Sequence, residues 1–392
     1  MQCRTAHSRV APALLFLALA PGAVFAQAPR QVTLGPATAA HAEPFGLVTV
    51  VRELSNGRVV VADPLGGEVT ILSADLKTAQ KVGREGSGPG EYRQPDAAWP
   101  FPGDSTIIVD LGNTRLTILS PAGTFARSTP MMLGAFNPGA GGGLPPIVMP
   151  GGIDAQGKIY FLRTSMGADS GDVTKFDPAT GKTEVLGRTK LPESQTQTSG
   201  SANNRQTNTR QIPLSGADGW GVAPNGSIVL IRQSDYHLEW IGPSGARRTG
   251  KPVTFERVRI GSAEKEEWID RQQLVGGIGI QVQAENGRVS MSLSRGRADN
   301  RPSAADYTWP VQKPPFDPGT VRVDPLGRVW VMRHQKAGEA PLYDVFGSDG
   351  NLVGSVRVPV GRRVAGFGTG GLYAAAVDDD GQHRVERYAM PL

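Results

Sequence analysis

One short pattern recurs along this chain and limits its fold more than any other feature. It is a turn ending in glycine, then an apolar strand, then a charged residue. It appears as Ser55-Asn56-Gly57 with RVVVAD, Gly103-Asp104 with STIIVD, Gln156-Gly157 with KIYFLR, Asn225-Gly226 with SIVLIR and Leu326-Gly327 with RVWVMR. A looser sixth copy is Gly370-Gly371 with LYAAAVD. A second pattern, an apolar strand end followed by a polar turn, trails the first five copies. It reads ILSADLK from Ile71, ILSPAGT from Ile118, KFDPATG from Lys175, WIGPSGA from Trp240 and VFGSDGN from Val345. Paired β-rich runs joined by polar, glycine-containing turns are hairpin signals.

Each copy supplies two strands, with weaker candidates beside them for a first and a fourth. Four strands in a unit of about 40–45 residues are the arithmetic of a β-propeller blade. A lone four-stranded blade cannot bury both faces, whereas a ring of blades packs face to face and leaves only short edges. The spacing predicts an all-β, six-bladed propeller in one domain over 27–392, with blades at 45–82, 93–128, 147–190, 213–251, 314–358 and 362–390. The last blade has three obvious strands, ending at Arg387-Tyr388-Ala389. Residues 30–35, beginning Arg30-Gln31-Val32-Thr33-Leu34, are expected to supply its outer strand and so close the ring.

Two segments interrupt the period. Residues 191–212 are polar and read as an exposed, mobile loop. Residues 254–313 are an insertion between blades 4 and 5. Within it Ser262 looks like an N-cap, and AEKEEWIDRQQL after it reads as one helix. Asn286-Gly287-Arg288-Val289-Ser290-Met291 resembles another blade start, which leaves seven blades as the alternative.

Residues 1–26 read as a secretory signal. Arg4 and Arg9 precede the apolar run Ala11–Ala20, which is too short to span a bilayer, and Val24-Phe25-Ala26 offers a cleavage site after Ala26. The one cysteine, Cys3, precedes that run, so cleavage leaves a chain without disulfides or thiolate metal sites. The protein is therefore expected to be exported, periplasmic or secreted, with no membrane span, and monomeric. The net charge of +5 comes from scattered Lys and Arg with no basic stripe, which argues against a nucleic-acid partner.

Residues 82–120 resemble an NHL-type repeat. Gly86-Ser87-Gly88-Pro89-Gly90, Tyr92 and Pro95 fill the glycine-rich connection of that pattern, and Asp110, Asn113 and Arg115 fill its strand end and following turn. The match is half-present in the first blade, at Val61-Ala62-Asp63, and fades where Arg replaces the Asp in blades three to five. The whole chain also resembles a broad group of exported bacterial six-bladed propellers, which the stretch Arg362–Gly368 and the closing Arg387-Tyr388 typify. The resemblance implies fold and export. Such propellers include lyases, lactonases and plain binding platforms, so function has to be read from the site.

Candidate site residues follow from these comparisons. Sugar-lactonase-like propellers hold one divalent ion with a Glu, Asn and Asp set. Glu53, Asp63 and Asp110 are the residues available for such a set, and their oxygens would suit a hard cation such as Ca2+. The competing reading for these aspartates is capping of turn amides. Histidine is scarce, and His237 and His334 near equivalent blade positions are the only hint of a lyase-type metal pair. No G-x-S-x-G elbow or phosphate loop occurs. Asp378-Asp379-Asp380-Gly381 lacks the spacing and distal Glu of a calcium loop and reads as a hairpin turn. Trp220, Trp240, Trp330 and Tyr236 read as packing between blades.

A positional pattern carries the leading functional expectation. The residues closing the second strands are Asp63, Asp110, Arg163, Arg232, Arg333 and Asp378 in blade order. Arg163, Arg232 and Arg333 would then form one positive half-rim able to recognise a carboxylate or phosphate. The expected function is an exported binding or scaffold propeller that meets an anionic ligand or a protein partner through its loop face. It requires no cofactor. The alternative is a metal-assisted hydrolase or lyase, lactonase-like, with its site at the channel mouth.

Overall fold

The computed structural model describes residues 30–134, 145–165, 167–201, 204–285, 288–298 and 300–392. The proposed signal segment, 1–26, lies outside them. Six four-stranded antiparallel blades span 51–82, 95–130, 150–190, 219–249, 322–357 and 362–388, in close agreement with the boundaries expected from the repeat. The chain is a six-bladed β-propeller.

The recurring glycine has a local cause. Gly57 and Gly226 close their turns at φ 81° and 82°, a region open to glycine and strained for other residues. In blade 3 the turn is pinned by Asp154, whose carboxylate accepts from the amides of Gln156 (3.0 Å) and Lys158 (2.8 Å). Blade 5 repeats this with Asp324 accepting from Leu326 and Arg328. Glycine serves a different purpose in the innermost strands. A Cβ on Gly366 would lie 2.2 Å from the Val51 carbonyl oxygen, and one on Gly219 would lie 2.8 Å from a Val321 methyl. These strands approach too closely around the axis for a larger residue.

The buried apolar side chains fall into six clusters among the described residues, one at each blade boundary. Tyrosine hydroxyls link five of the boundaries. Tyr92 accepts from Val69 N, Tyr343 accepts from Val364 N, and Tyr236 donates to Asp344 at 2.7 Å. Tyr160 reaches Gly226 O at 3.2 Å, and Tyr373 donates to Glu53. Trp240 and Trp330 are buried in the 4–5 and 5–6 boundary clusters, Tyr236 sits in the former, and Trp220 packs on Gly151 of blade 3.

Three expectations need correction. Arg30–Thr33 does not complete the last blade. It pairs parallel to Leu352–Arg357 as a fifth strand on blade 5. The clasp is made by the residues after it: Ala39–Ala40 pairs with Glu386 and Arg387, and Phe45 pairs with His383. Ala39-Ala40 carries no strand propensity, and only the vacant edge of the last blade recruits it. The polar segment 191–212 is not an open loop, because Ser194–Ser201 and Asn204–Gln211 pair as an antiparallel hairpin. Its Thr- and Gln-rich composition lacks the apolar alternation by which a strand is recognised.

The insertion contains the expected helix, α1 (Ser262–Val275), but Gly261 rather than Ser262 occupies the N-cap. Glu264 supplies the missing side-chain partner by accepting from Gly261 N at 3.0 Å. A long hairpin follows, Gly277–Glu285 with Arg288–Gly296, and it belongs to no blade. Asn286 and Gly287 of the supposed extra blade start lie outside the described residues. Among the described residues, no helix is long and apolar enough to cross a membrane.

Candidate functional site

The second strands of all blades run the same way, so their ends mark one end of the ring. The insertion covers that end. Arg297 donates to Gly46 O (3.1 Å) and Gly381 O (2.9 Å), Gln94 Nε2 donates to Arg295 O (2.8 Å), and Gly338 N donates to Glu267 of α1 (3.0 Å). Arg295 also forms an ion pair with Asp96, and Leu293 is buried among residues of blades 2 and 3.

Beneath α1, over blades 5 and 6, lies a cavity of about 290 Å³. Six Lys and Arg residues line it. Five of them have a carboxylate partner: Arg271 with Asp317 (2.9 Å), Lys313 with Glu267 (3.2 Å), Arg333 with Asp344 (2.8 Å), Lys336 with Glu256 (3.3 Å) and Arg362 with Glu386 (3.2 Å). Arg363 has none among the described residues. Its guanidinium donates only to the backbone carbonyls of Val48 (2.6 Å) and Thr49 (3.3 Å), so two of its five N–H donors are used. Burial, with the neighbouring Arg322 charge next in weight, brings its pKa down to about 10.

Arg322, on the adjacent inner strand, is in the same position. It donates to Val321 O (2.8 Å) and Gly319 O (3.4 Å), its Nε has no partner, and burial lowers its pKa. His383 lines the cavity at 1% exposure, and neither ring nitrogen has a partner. Burial, reinforced by Arg363 and Arg297, pushes its pKa down to about 4, so the imidazole is neutral at ordinary pH. His334 Nδ1 donates to Pro314 O (2.9 Å), and burial lowers its pKa as well. Asp317 keeps a lowered pKa despite burial, because Arg271 and His334 offset the desolvation.

The rim arginines expected from the sequence stand at this same end, closing the second strands of blades 3, 4 and 5. Each is met by carboxylates of its own blade. Arg163 pairs with Asp172 (2.9 Å), Arg232 lies between Asp218 and Glu239 (both 2.8 Å), and Arg333 pairs with Asp344. Of the three, only Arg333 lines the cavity.

The residues considered for a divalent ion are not brought together. Glu53 faces Val59, the first residue of its neighbouring strand, whereas Asp63 is that strand's last residue, so the two stand at opposite ends of the ring. Glu53 accepts from Thr369 and Tyr373. Asp63 accepts from the amides of Gly46, Leu47, Leu65 and Gly66 at 2.6–3.1 Å. Asp110 accepts from Arg93 N, Gln94 N and Asn113, while Arg115 donates to the carbonyls of Ser87, Gly88 and Glu91. These NHL-like positions thus pin the connection between blades 1 and 2. Among the described residues, no three His, Cys, Asp or Glu side chains gather as a metal site. His237 contacts Asp235 and Glu239 of its own blade, and Asp378 caps a hairpin turn through the amides of Asp380 and Gln382.

A second cavity of about 330 Å³ lies between blades 3 and 4. Its lysines Lys158 and Lys175 pair with Asp177 and Glu184, and its Asp154 accepts from Tyr160. Its remaining cation, Arg247, is exposed.

No protein-family model matches the chain, and no curated protein sequence does either. Several solved structures align with most of the chain at low identity. A DUF4221 family member from Bacteroides vulgatus is 9% identical, with 90% of this chain and 97% of that one covered at a TM-score of 0.45. A gluconolactonase from Xanthomonas campestris is 10% identical, with 92% and 95% covered at 0.41. Regucalcin, a calcium-binding protein from Agrobacterium tumefaciens, is 13% identical, with 92% and 99% covered at 0.42. The likeness is one of fold. The six blades rest on the strand pairings themselves.

Proposed function

We propose that this is an exported binding propeller, periplasmic or secreted, that takes a small anion into the cavity beneath α1. One observation carries the reading: Arg363 is the single cation lining the cavity without a carboxylate partner among the described residues, and Arg322 beside it has none either. A buried charge without a counter-charge is destabilising, so a bound anion recovers energy the empty site has lost. His383 supports the reading, because its neutral ring offers one N–H donor with no partner inside the protein. Export is supported by the apolar run Ala11–Ala20 and the cleavage pattern at Val24-Phe25-Ala26. In this reading Arg333 forms part of the wall, and Arg163 and Arg232 frame the rim.

Thermal melting tests the proposal. At fixed ionic strength, acetate, sulfate or phosphate replacing chloride is expected to raise the melting temperature of the wild-type protein, as for any ligand that binds only the folded state. Arg363→Met is expected to lose that response. An equal response in Arg363→Met, or none in the wild type for any of the three, would overturn the reading.

A further inference from the structure

The cavity is lined by two chemically different kinds of side chain. Arg363 and His383 stand together in blade 6. Apolar groups line the space as well: Trp268, Leu274 and Val275 of α1, alongside charged residues of the same helix, with Met332 and Val360 of the blades. Trp268 is held in place by Tyr307 and Trp309, with ring centroids 5.3 and 5.6 Å away and edge-on. Aromatic pairs in this geometry are mutually attractive, so the wall is rigid rather than collapsible. Val360 stands 60% exposed beside it, an apolar side chain that the fold itself leaves uncovered.

A bare inorganic anion would use only one of these two kinds. It would also leave most of the space to water, since about 290 Å³ equals the share of roughly ten water molecules. Resting on the anion-binding reading above, we infer that the ligand is an amphipathic small-molecule acid. Its carboxylate meets Arg363, and an aliphatic or aryl body of about six to ten carbons lies along Trp268, Leu274 and Val360. A planar carboxylate matches the fork of a guanidinium. The size of the cavity excludes a folded partner as its occupant.

Calorimetric titration with acetate, hexanoate and inorganic phosphate tests this assignment on the full-length mature protein. Each buried methylene contributes roughly a fourfold gain in affinity. Hexanoate is therefore expected to bind at least tenfold more tightly than acetate and phosphate. Trp268→Ala and Val360→Ser are expected to erase most of that advantage. Val360→Ser alters one exposed side chain, so it keeps the test valid if Trp268→Ala fails to fold. Equal affinity for all three anions, lost together in Arg363→Met, would overturn the amphipathic assignment and leave the anion site standing. Equal hexanoate affinity in wild type and Val360→Ser would also overturn it. Binding of none of the three would overturn the underlying reading.

Discussion

Asp344→Asn is expected to cost about 3–5 kcal/mol of stability, the range for removing one partner of a buried ion pair. Asp344 is fully buried at the boundary between blades 4 and 5. Its carboxylate accepts from Arg333 at 2.8–2.9 Å, from Tyr236 at 2.7 Å and from Ser355 at 2.6 Å. The amide is nearly the same shape, so no cavity opens. What is lost is the counter-charge to Arg333, and one amide N–H is turned toward groups that themselves donate. Urea unfolding followed by tryptophan fluorescence checks the figure. A loss under about 1 kcal/mol would mean that the site relaxes and admits water, and that the boundary does not depend on this carboxylate.

The second large effect is a fall in stability with acidification through a window set by His383. Its folded pKa of about 4 lies below the ordinary imidazole value of about 6.5. Between those values the unfolded chain binds a proton that the folded protein refuses, so stability declines as pH falls. The contribution is complete above about pH 6.5 and lost below about pH 4, and it is on the order of 3 kcal/mol. Arg363 and Arg297 face the ring and oppose its protonation, while Asp378 favours it more weakly. His334 is lowered in the same direction, chiefly by burial. Carboxylates such as Asp177, held at about 2 mainly by Lys158, lose their contribution at lower pH. Melting temperatures of wild type and His383→Gln between pH 4 and 7.5 separate the terms. The wild-type curve is expected to slope upward with pH, and the variant to be distinctly flatter. Parallel curves would contradict the assignment.

The fold was legible because its determinants are local. Blades 3 and 5 share a turn whose Asp and Gly solve a backbone problem within five residues, as at Asp154–Lys158 and Asp324–Arg328. Six copies of the repeat, near-evenly spaced once the two interrupting segments are set aside, then leave little choice of architecture. The clasp was misplaced because Arg30–Thr33 has the strand-like composition, whereas Ala39-Ala40 pairs only because an edge stands open. Tertiary context overrides propensity there.

The candidate site was mostly hidden, for a physical reason. It is assembled from Arg271 on α1, Arg363 on an inner strand and His383 in the last blade, which no short motif links. The rim pattern pointed to the correct end of the ring but selected arginines already matched by carboxylates. Asp172, Asp218, Glu239 and Asp344 lie seven to fourteen residues from their partners, and strand register alone decides that they meet. Two signals were available. An insertion that breaks the repeat between blades 4 and 5 must lie over one end of the ring. Arginine in the first strand of a blade, as at Arg322 and Arg363, places a charge at the axis, where side chains have no neighbouring strand to cover them.

The most direct test is a crystal structure of the protein soaked with 6-bromohexanoate, read from the anomalous signal of bromine. The predicted result is a bromine peak beside Trp268 and Leu274, with the carboxylate about 2.7–3.2 Å from the Arg363 guanidinium. A peak only elsewhere on the protein, or an empty cavity at saturating ligand, would contradict the account.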